Sequence, residues 1–116
     1  MADGNIIVDK SRTFAIRIIR LYKLLRLRKV EYDLCRQLLR SGTSIGANVK
    51  EAVRGQSKPD FYAKMSIALK EASETEYWLD IMYASKELEQ KEYESINKDC
   101  QEILRLLTAI CKSQKK

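Results

Sequence analysis

Four stretches of this chain space their apolar residues three and four apart, and each predicts one face of a helix. Phe14, Ile18, Leu21 and Leu25 recur at four, three and four residues, which stacks them on one side of a helix over 11–29. Asn5-Ile-Ile-Val8 precedes it, too short to be an element alone, and reads as an arm packing on the rest. Cys35, Leu38, Ile45, Val49 and Ala52 predict a second helix over 31–54. Met65, Ala68, Ala72, Thr75, Leu79 and Met82 mark a third over 58–85. Tyr93, Ile96, Cys100, Ile103, Leu107 and Ile110 mark a fourth over 90–112, with the cleanest period in the chain. Such 3-4 alternation favours knobs-into-holes packing at shallow crossing angles. Four such helices with short connections make an all-α, antiparallel up-down bundle. The expected organisation is an N-terminal arm over 1–10, the bundle over 11–112 and a frayed basic tail over 113–116.

The polar residues between these stripes are informative in one place above all. The run 37–55, QLLRSGTSIGANVKEAVRG, keeps helical apolar spacing while holding residues that helices avoid. Gly42 and Gly46 each cost about 1 kcal/mol relative to alanine inside a helix. Ser41, Thr43, Ser44 and Asn48 compete with the backbone for its own hydrogen bonds. A helix tolerates this where another helix comes close, or where small polar groups face inward. After that run, Gly55 is placed to take the left-handed position beyond the helix end. Ser57 is a candidate N-cap with Asp60 three residues on, and Pro59 suits a first turn. Lys86-Glu-Leu-Glu89 is the predicted turn before the fourth helix.

Length and composition narrow the class. A chain of 116 residues supports one core. One proline and 33% charged residues fit a helical protein in water. No stretch approaches the roughly 18 apolar residues of a membrane span. The first residues lack the basic-then-apolar pattern of a secretory signal, so a cytoplasmic location is expected. Cys35, Cys100 and Cys111 are odd in number, lie on predicted helices and form no close pair, which reads as buried, reduced thiols.

Charge adds a partner class. The net +6 is unevenly spread. Residues 1–58 hold 13 Lys/Arg and 5 Asp/Glu, whereas residues 59–116 hold 9 and 11. The basic half can attract polyanions or acidic partners, and the acidic half can pair with it internally. On the first helix, Arg12, Arg17, Arg20, Lys23 and Arg26 cover a broad arc opposite the Phe14–Leu25 stripe, with Arg28 just beyond. Ile16, Ile19 and Leu27 lie within that arc, where a lone bundle would leave them wet. Cations mixed with uncovered aliphatics suit a surface that meets a phosphate backbone, another subunit, or both. Trp78 and the six tyrosines read as core or interface anchors.

Catalytic chemistry is thinly provided for. The chain has no histidine, which removes the commonest general base and the usual nitrogen ligand for zinc or iron. It shows no phosphate-binding glycine loop and no nucleophile elbow. Glu71, Glu74 and Glu76 lie close together on the third helix. They can form an all-carboxylate metal site or pair with basic residues of the second helix, and pairing is the simpler expectation. No enzyme activity and no cofactor are expected. Ser44, Asn48 and Glu51 share a helix face at four and three residues. Glu74 can meet that face from the third helix, with Arg40 or Arg54 supplying charge. A buried set of this kind must be mutually satisfied, either as a network fixing helix register or subunit contact, or as a ligand site.

The same stretch resembles the four-helix-bundle family of proteins encoded by intervening sequences in bacterial 23S ribosomal RNA genes. The resemblance rests on Leu39-Arg40-Ser-Gly-Thr-Ser-Ile-Gly-Ala-Asn48-Val49-x-Glu51-Ala52, on Phe61-x-x-x-Met65-Ser66-Ile67-Ala68, on Glu74-x-Glu76 and on Leu79. With the fourth-helix heptads it covers about residues 10–112. Gly46 and Ala52 stand where proline and glycine are expected in many relatives. The resemblance implies an antiparallel four-helix bundle assembling as a homopentamer. It also implies kinship with the accessory protein of diversity-generating retroelements, a basic pentameric barrel that binds nucleic acid and a reverse transcriptase. Arg40, Ser44, Asn48, Glu51 and Glu74 are then the shared polar motif.

Two functions follow as expectations. The first is a non-enzymatic homo-oligomer contacting RNA or DNA backbone through Arg12, Arg17, Arg20, Lys23, Arg26 and Arg28. The alternative is a protein–protein interaction module docking onto an acidic protein partner, such as one of polymerase type, with the same arginines serving steering and pairing.

Overall fold

The computed structural model describes residues 2–115, and side chains over 6–114. Helices α1 (Ala2–Leu27), α2 (Tyr32–Val53), α3 (Lys58–Ala84) and α4 (Gln90–Lys112) run alternately up and down, followed by a short 3₁₀ turn, Ser113–Lys115. Each helix packs against its chain neighbour, and α4 closes back onto α1 along the seam with the least contact. The bundle measures 45 × 20 × 18 Å. All four apolar stripes face its axis. Phe14, Ile18 and Leu25, Leu38 and Ile45, Met65, Leu79 and Met82, and Ile103 and Leu107 are all fully buried. Each such side chain contributes about 1.5–3 kcal/mol by leaving water. None of the described helices is long and apolar enough to cross a membrane.

Helix α1 corrects one expectation. It begins at Ala2, so residues 2–10 continue the helix and are not a separate arm. The stripe extends one heptad upstream through Ile7 and Ser11, both buried. Ser11 looks like a cap by residue type, but its hydroxyl donates back to the Val8 carbonyl at 3.2 Å while its face turns to α2. At the other terminus, Ser113–Lys115 forms a 3₁₀ turn where fraying was expected. Lys116 lies outside the described residues.

The glycines of α2 serve close approach. A Cβ on Gly42 would stand 2.8 Å from Ile18 Cγ1, and one on Gly46 would stand 3.3 Å from the Ser11 carbonyl oxygen. The inward small polar residue is Ser41, fully buried and hydrogen-bonded at 3.0 Å to Thr75 of α3. Both explanations for this unusual helix therefore operate, on two different faces of it.

Connections are short and capped. Ser57 accepts the Asp60 N–H at 3.2 Å, with Pro59 in the first turn of α3. Gly55 does not take the left-handed conformation. Its place is set by crowding, since a Cβ would lie 3.1 Å from the Ala52 carbonyl oxygen and 3.2 Å from the Asp60 Cβ. Positive φ occurs instead at Lys29 (63°) and Lys86 (68°). Each closes a Schellman turn. Val30 N–H donates to Leu25 O at 3.0 Å, and Glu87 N–H donates to Met82 O at 2.8 Å. A Glu89–Glu92 capping box starts α4.

Candidate nucleic-acid interface

The cations of α1 divide between two flanks. On the flank facing α4, Lys10, Arg17 and Arg28 are each matched by a carboxylate. Lys10 meets Glu102 at 2.9 Å, Arg17 meets Asp99 at 2.6 Å, and Arg28 meets Glu92 at 2.5 Å and Glu89 at 3.6 Å. Arg17 also donates to the Ser95 hydroxyl at 2.9 Å and to its carbonyl at 3.3 Å. Arg28 holds Glu92 in a fork of two hydrogen bonds, 2.8 and 2.5 Å. The direct hydrogen bond to Arg28 holds the Glu92 carboxyl below its ordinary range, and the same bond raises the Arg28 guanidinium. Partners pair in descending order along α4 as α1 ascends, as antiparallel neighbours must. Acidic second half and basic first half thus meet along this seam, and Arg17 and Arg28 are occupied there. Arg20 is exposed beside Lys91 at the edge of the same seam.

The other flank, shared by α1 and α2, is different. Arg12 of α1 and Lys50 and Arg54 of α2 line one groove of about 470 Å³. The groove is open because Ala15, Gly46 and Ala47 line it with little side chain. At the opposite end of the face, Arg26 lies 5.0 Å and Arg36 5.8 Å from the Tyr32 ring centre. Arg26 is fixed further by donating to the Val30 carbonyl at 2.7 Å. Lys23 is exposed one turn before it. Among the described residues, Arg12, Lys23, Arg26, Arg36, Lys50 and Arg54 form no ion pair within 4.0 Å. Ile19 is 40% and Leu27 80% exposed, as expected of a lone bundle, whereas Ile16 is half-buried.

Sequence reasoning assigned the basic face to the first helix alone and left Arg36, Lys50 and Arg54 out of it. The signal was present. The stripe of Cys35, Leu38, Ile45, Val49 and Ala52 turns positions 36, 47, 50 and 54 outward, beside the exposed arc of α1.

The polar motif does not form one network. Arg40 pairs with Glu71 at 3.3 Å and with Glu74, which is the pairing expected between the second and third helices. Those hydrogen bonds raise the Arg40 guanidinium, the one to Glu74 most of all. Ser44 and Asn48 turn back onto their own helix, donating to the Arg40 carbonyl at 2.6 Å and to the Ser44 carbonyl at 2.8 Å. Glu51 pairs separately with Lys64 at 3.0 Å. Glu76 turns to α4, where it accepts from Gln101 at 2.5 Å. Glu71 and Glu74 thus meet at Arg40 while Glu76 turns away from them, and no group of metal-ligating side chains occurs among the described residues. Cys35 and Cys100 are buried free thiols and Cys111 is half-buried. Burial pushes Cys100 up to about 12, with Glu76 adding to it.

Comparison with known proteins places this architecture. A crystal structure of an S23 ribosomal protein family member of unknown function from Bacteroides thetaiotaomicron superposes with a TM-score of 0.91. It is 50% identical, over 95% of this chain and 98% of that one. No curated protein matches the chain. The sequence profile of the 23S rRNA-intervening sequence proteins matches residues 4–109, nearly the whole bundle. With four helices in this order and half its residues shared with a solved relative, this chain belongs to the 23S rRNA-intervening sequence protein family.

Proposed function

We propose that this chain is a non-enzymatic, self-assembling protein that binds the phosphate backbone of RNA or DNA through the α1–α2 face. The observation carrying this reading is the contrast between the flanks. Lys10, Arg17 and Arg28 are neutralised by carboxylates at α4, while Arg12, Lys50 and Arg54 line one groove and, among the described residues, form no ion pair. Arg26, Arg36 and Lys23 continue the positive surface along the same face. Arg17 and Arg28 are left out of the contact set because α4 already holds them, and Arg20 is peripheral to it. Such a face neutralises phosphates without reading bases.

Self-assembly is supported by other uncovered apolar side chains: Leu24 and Leu27 on α1, and Ile67 and Tyr77 on α3. A closed ring of five, the form the family resemblance implies, would repeat the basic face around an axis and multiply its contacts. Light scattering on the purified protein tests this, and a strict monomer would refute it.

The binding test is fluorescence anisotropy with mixed-sequence RNA and DNA across a salt series. Affinity should fall by about 0.9 log units per log unit of salt for each phosphate neutralised. Absence of binding at low salt, or indifference to salt, would refute the reading. The second reading, docking on an acidic protein, draws on the exposed Ile19 and Leu27 among the cations. A stoichiometric partner that survives nuclease treatment in a pull-down would favour it.

A further inference from the structure

We infer that the nucleic acid fitting the α1–α2 face is a double helix, not a single strand; this rests on the reading of that face as a nucleic-acid site. Two independent observations support it.

The first concerns aromatic rings. Proteins that hold single strands combine cations with free aromatic faces, each stacked base contributing about 1–3 kcal/mol. All nine aromatic side chains of this chain lie within the described residues. Only Tyr32 is both on this face and well exposed, at 48%. Its ring is already taken by the guanidinium groups of Arg26 and Arg36. Tyr22 of α1 is half-buried and packed on the core. The other exposed rings, Tyr77 and Tyr83, belong to α3 and lie off this face. Tyr77 meets Trp78 edge-on with centres 5.1 Å apart, and Tyr83 lies flat on Tyr93 at 4.4 Å. The basic face therefore offers cations without a stacking platform.

The second concerns spacing. The cations fall into two clusters, Arg12 with Lys50 and Arg54 at one end, and Arg26 with Arg36 at the other. Arg12 and Arg26 are both on α1, an unbroken helix of 26 residues. Their separation along its axis is about 21 Å at 1.5 Å per residue. The clusters are thus held rigidly apart, with exposed Ile19 between them. A B-form double helix presents two phosphate strands at fixed spacing across a major groove about 12 Å wide, whereas A-form RNA has a narrow one. A flexible single strand has no corresponding pair of rails.

The test uses anisotropy with duplex and single-stranded oligonucleotides of matched length and composition, in RNA and DNA versions, at one low salt concentration. Duplex should bind about tenfold tighter than single strand. Arg12→Ala and Arg36→Ala, one from each cluster, should each weaken duplex binding. The RNA and DNA duplex arms identify which double helix is preferred. Tyr32→Leu should leave single-strand affinity within about twofold. Single strands binding as tightly as duplexes, selective loss of single-strand binding in Tyr32→Leu, or dependence on one cluster alone would overturn the inference while leaving the nucleic-acid reading intact. Binding of neither form would instead refute that reading itself.

Discussion

Gly42 on α2 receives Ile18 of α1 so closely that a Cβ added to the glycine would stand 2.8 Å from Ile18 Cγ1 and 2.9 Å from its Cγ2. Ile18 is fully buried and has nowhere to retreat. The pair sets how near α1 and α2 can come, and so fixes the floor between the two halves of the basic face.

Gly42→Ala gains about 1 kcal/mol in helix propensity but overpacks the contact, at a cost of about 1–3 kcal/mol. A net loss of stability is expected, and Gly42→Val should lose considerably more. Urea unfolding followed by circular dichroism measures both. An alanine variant more stable than the parent would show that the α1–α2 contact is looser than the distances state.

The Thr75 and Ser41 hydroxyls, 3.0 Å apart, form the buried polar link between α2 and α3. Thr75→Val leaves Ser41 without this partner and should cost about 1 kcal/mol. Ser41→Ala should cost a similar amount, and the double variant less than the sum of the two. A double-mutant cycle by chemical denaturation reads the coupling, and strict additivity would mean the hydroxyls act independently.

Glu92 supports the α1–α4 seam only while ionised. Its carboxyl is held below the ordinary 4.5, first through the hydrogen bond from Arg28. With a folded pKa beneath the unfolded one, its contribution is complete above about 4.5 and is lost as pH falls through the folded value. Glu92→Gln should flatten the acid limb of a stability–pH profile while lowering stability at neutral pH. An unchanged acid limb would show that Arg28 does not hold the carboxylate in solution.

The two flanks of α1 should separate in mutagenesis. Arg12→Ala, Lys50→Ala and Arg54→Ala should each reduce the salt slope of nucleic-acid binding by about 0.9 with little effect on stability. Arg17→Ala and Arg28→Ala should lower thermal stability, each by up to about 1 kcal/mol, because these pairs are partly exposed. Equal losses of binding across all five variants would mean that the α4 carboxylates do not neutralise their partners.

Thiol reactivity should follow burial. Cys111 should react first with a disulfide reagent under mildly alkaline native conditions. Cys35 and Cys100 should wait for unfolding, since burial raises all three thiols and pushes Cys100 up to about 12. Equal rates for all three in the folded protein would argue against the packed core.

Apolar periodicity alone made the bundle legible. The stripes through Leu38, Met65 and Ile103 placed three helices within a residue or two of their observed ends, because an apolar face that must leave water imposes its own period. The helix-averse residues of 37–55 pointed either to a close helix contact or to inward small polar groups. The start of α1 was less legible, since the helix runs on upstream of position 11 through the buried Ile7 to Ala2. Gly55 misled the reading of the turn after α2, because crowding and left-handed geometry select the same residue. Which cations are free could not be read from one dimension. Arg17 and Arg12 are equally basic and both lie off the core stripe, yet α4 supplies Asp99 to the first and α2 adds Lys50 and Arg54 beside the second. Helical period is a property of neighbours along the chain, so the sequence determines it. Charge cancellation is a property of neighbours across the bundle, so only the packing of the helices decides it.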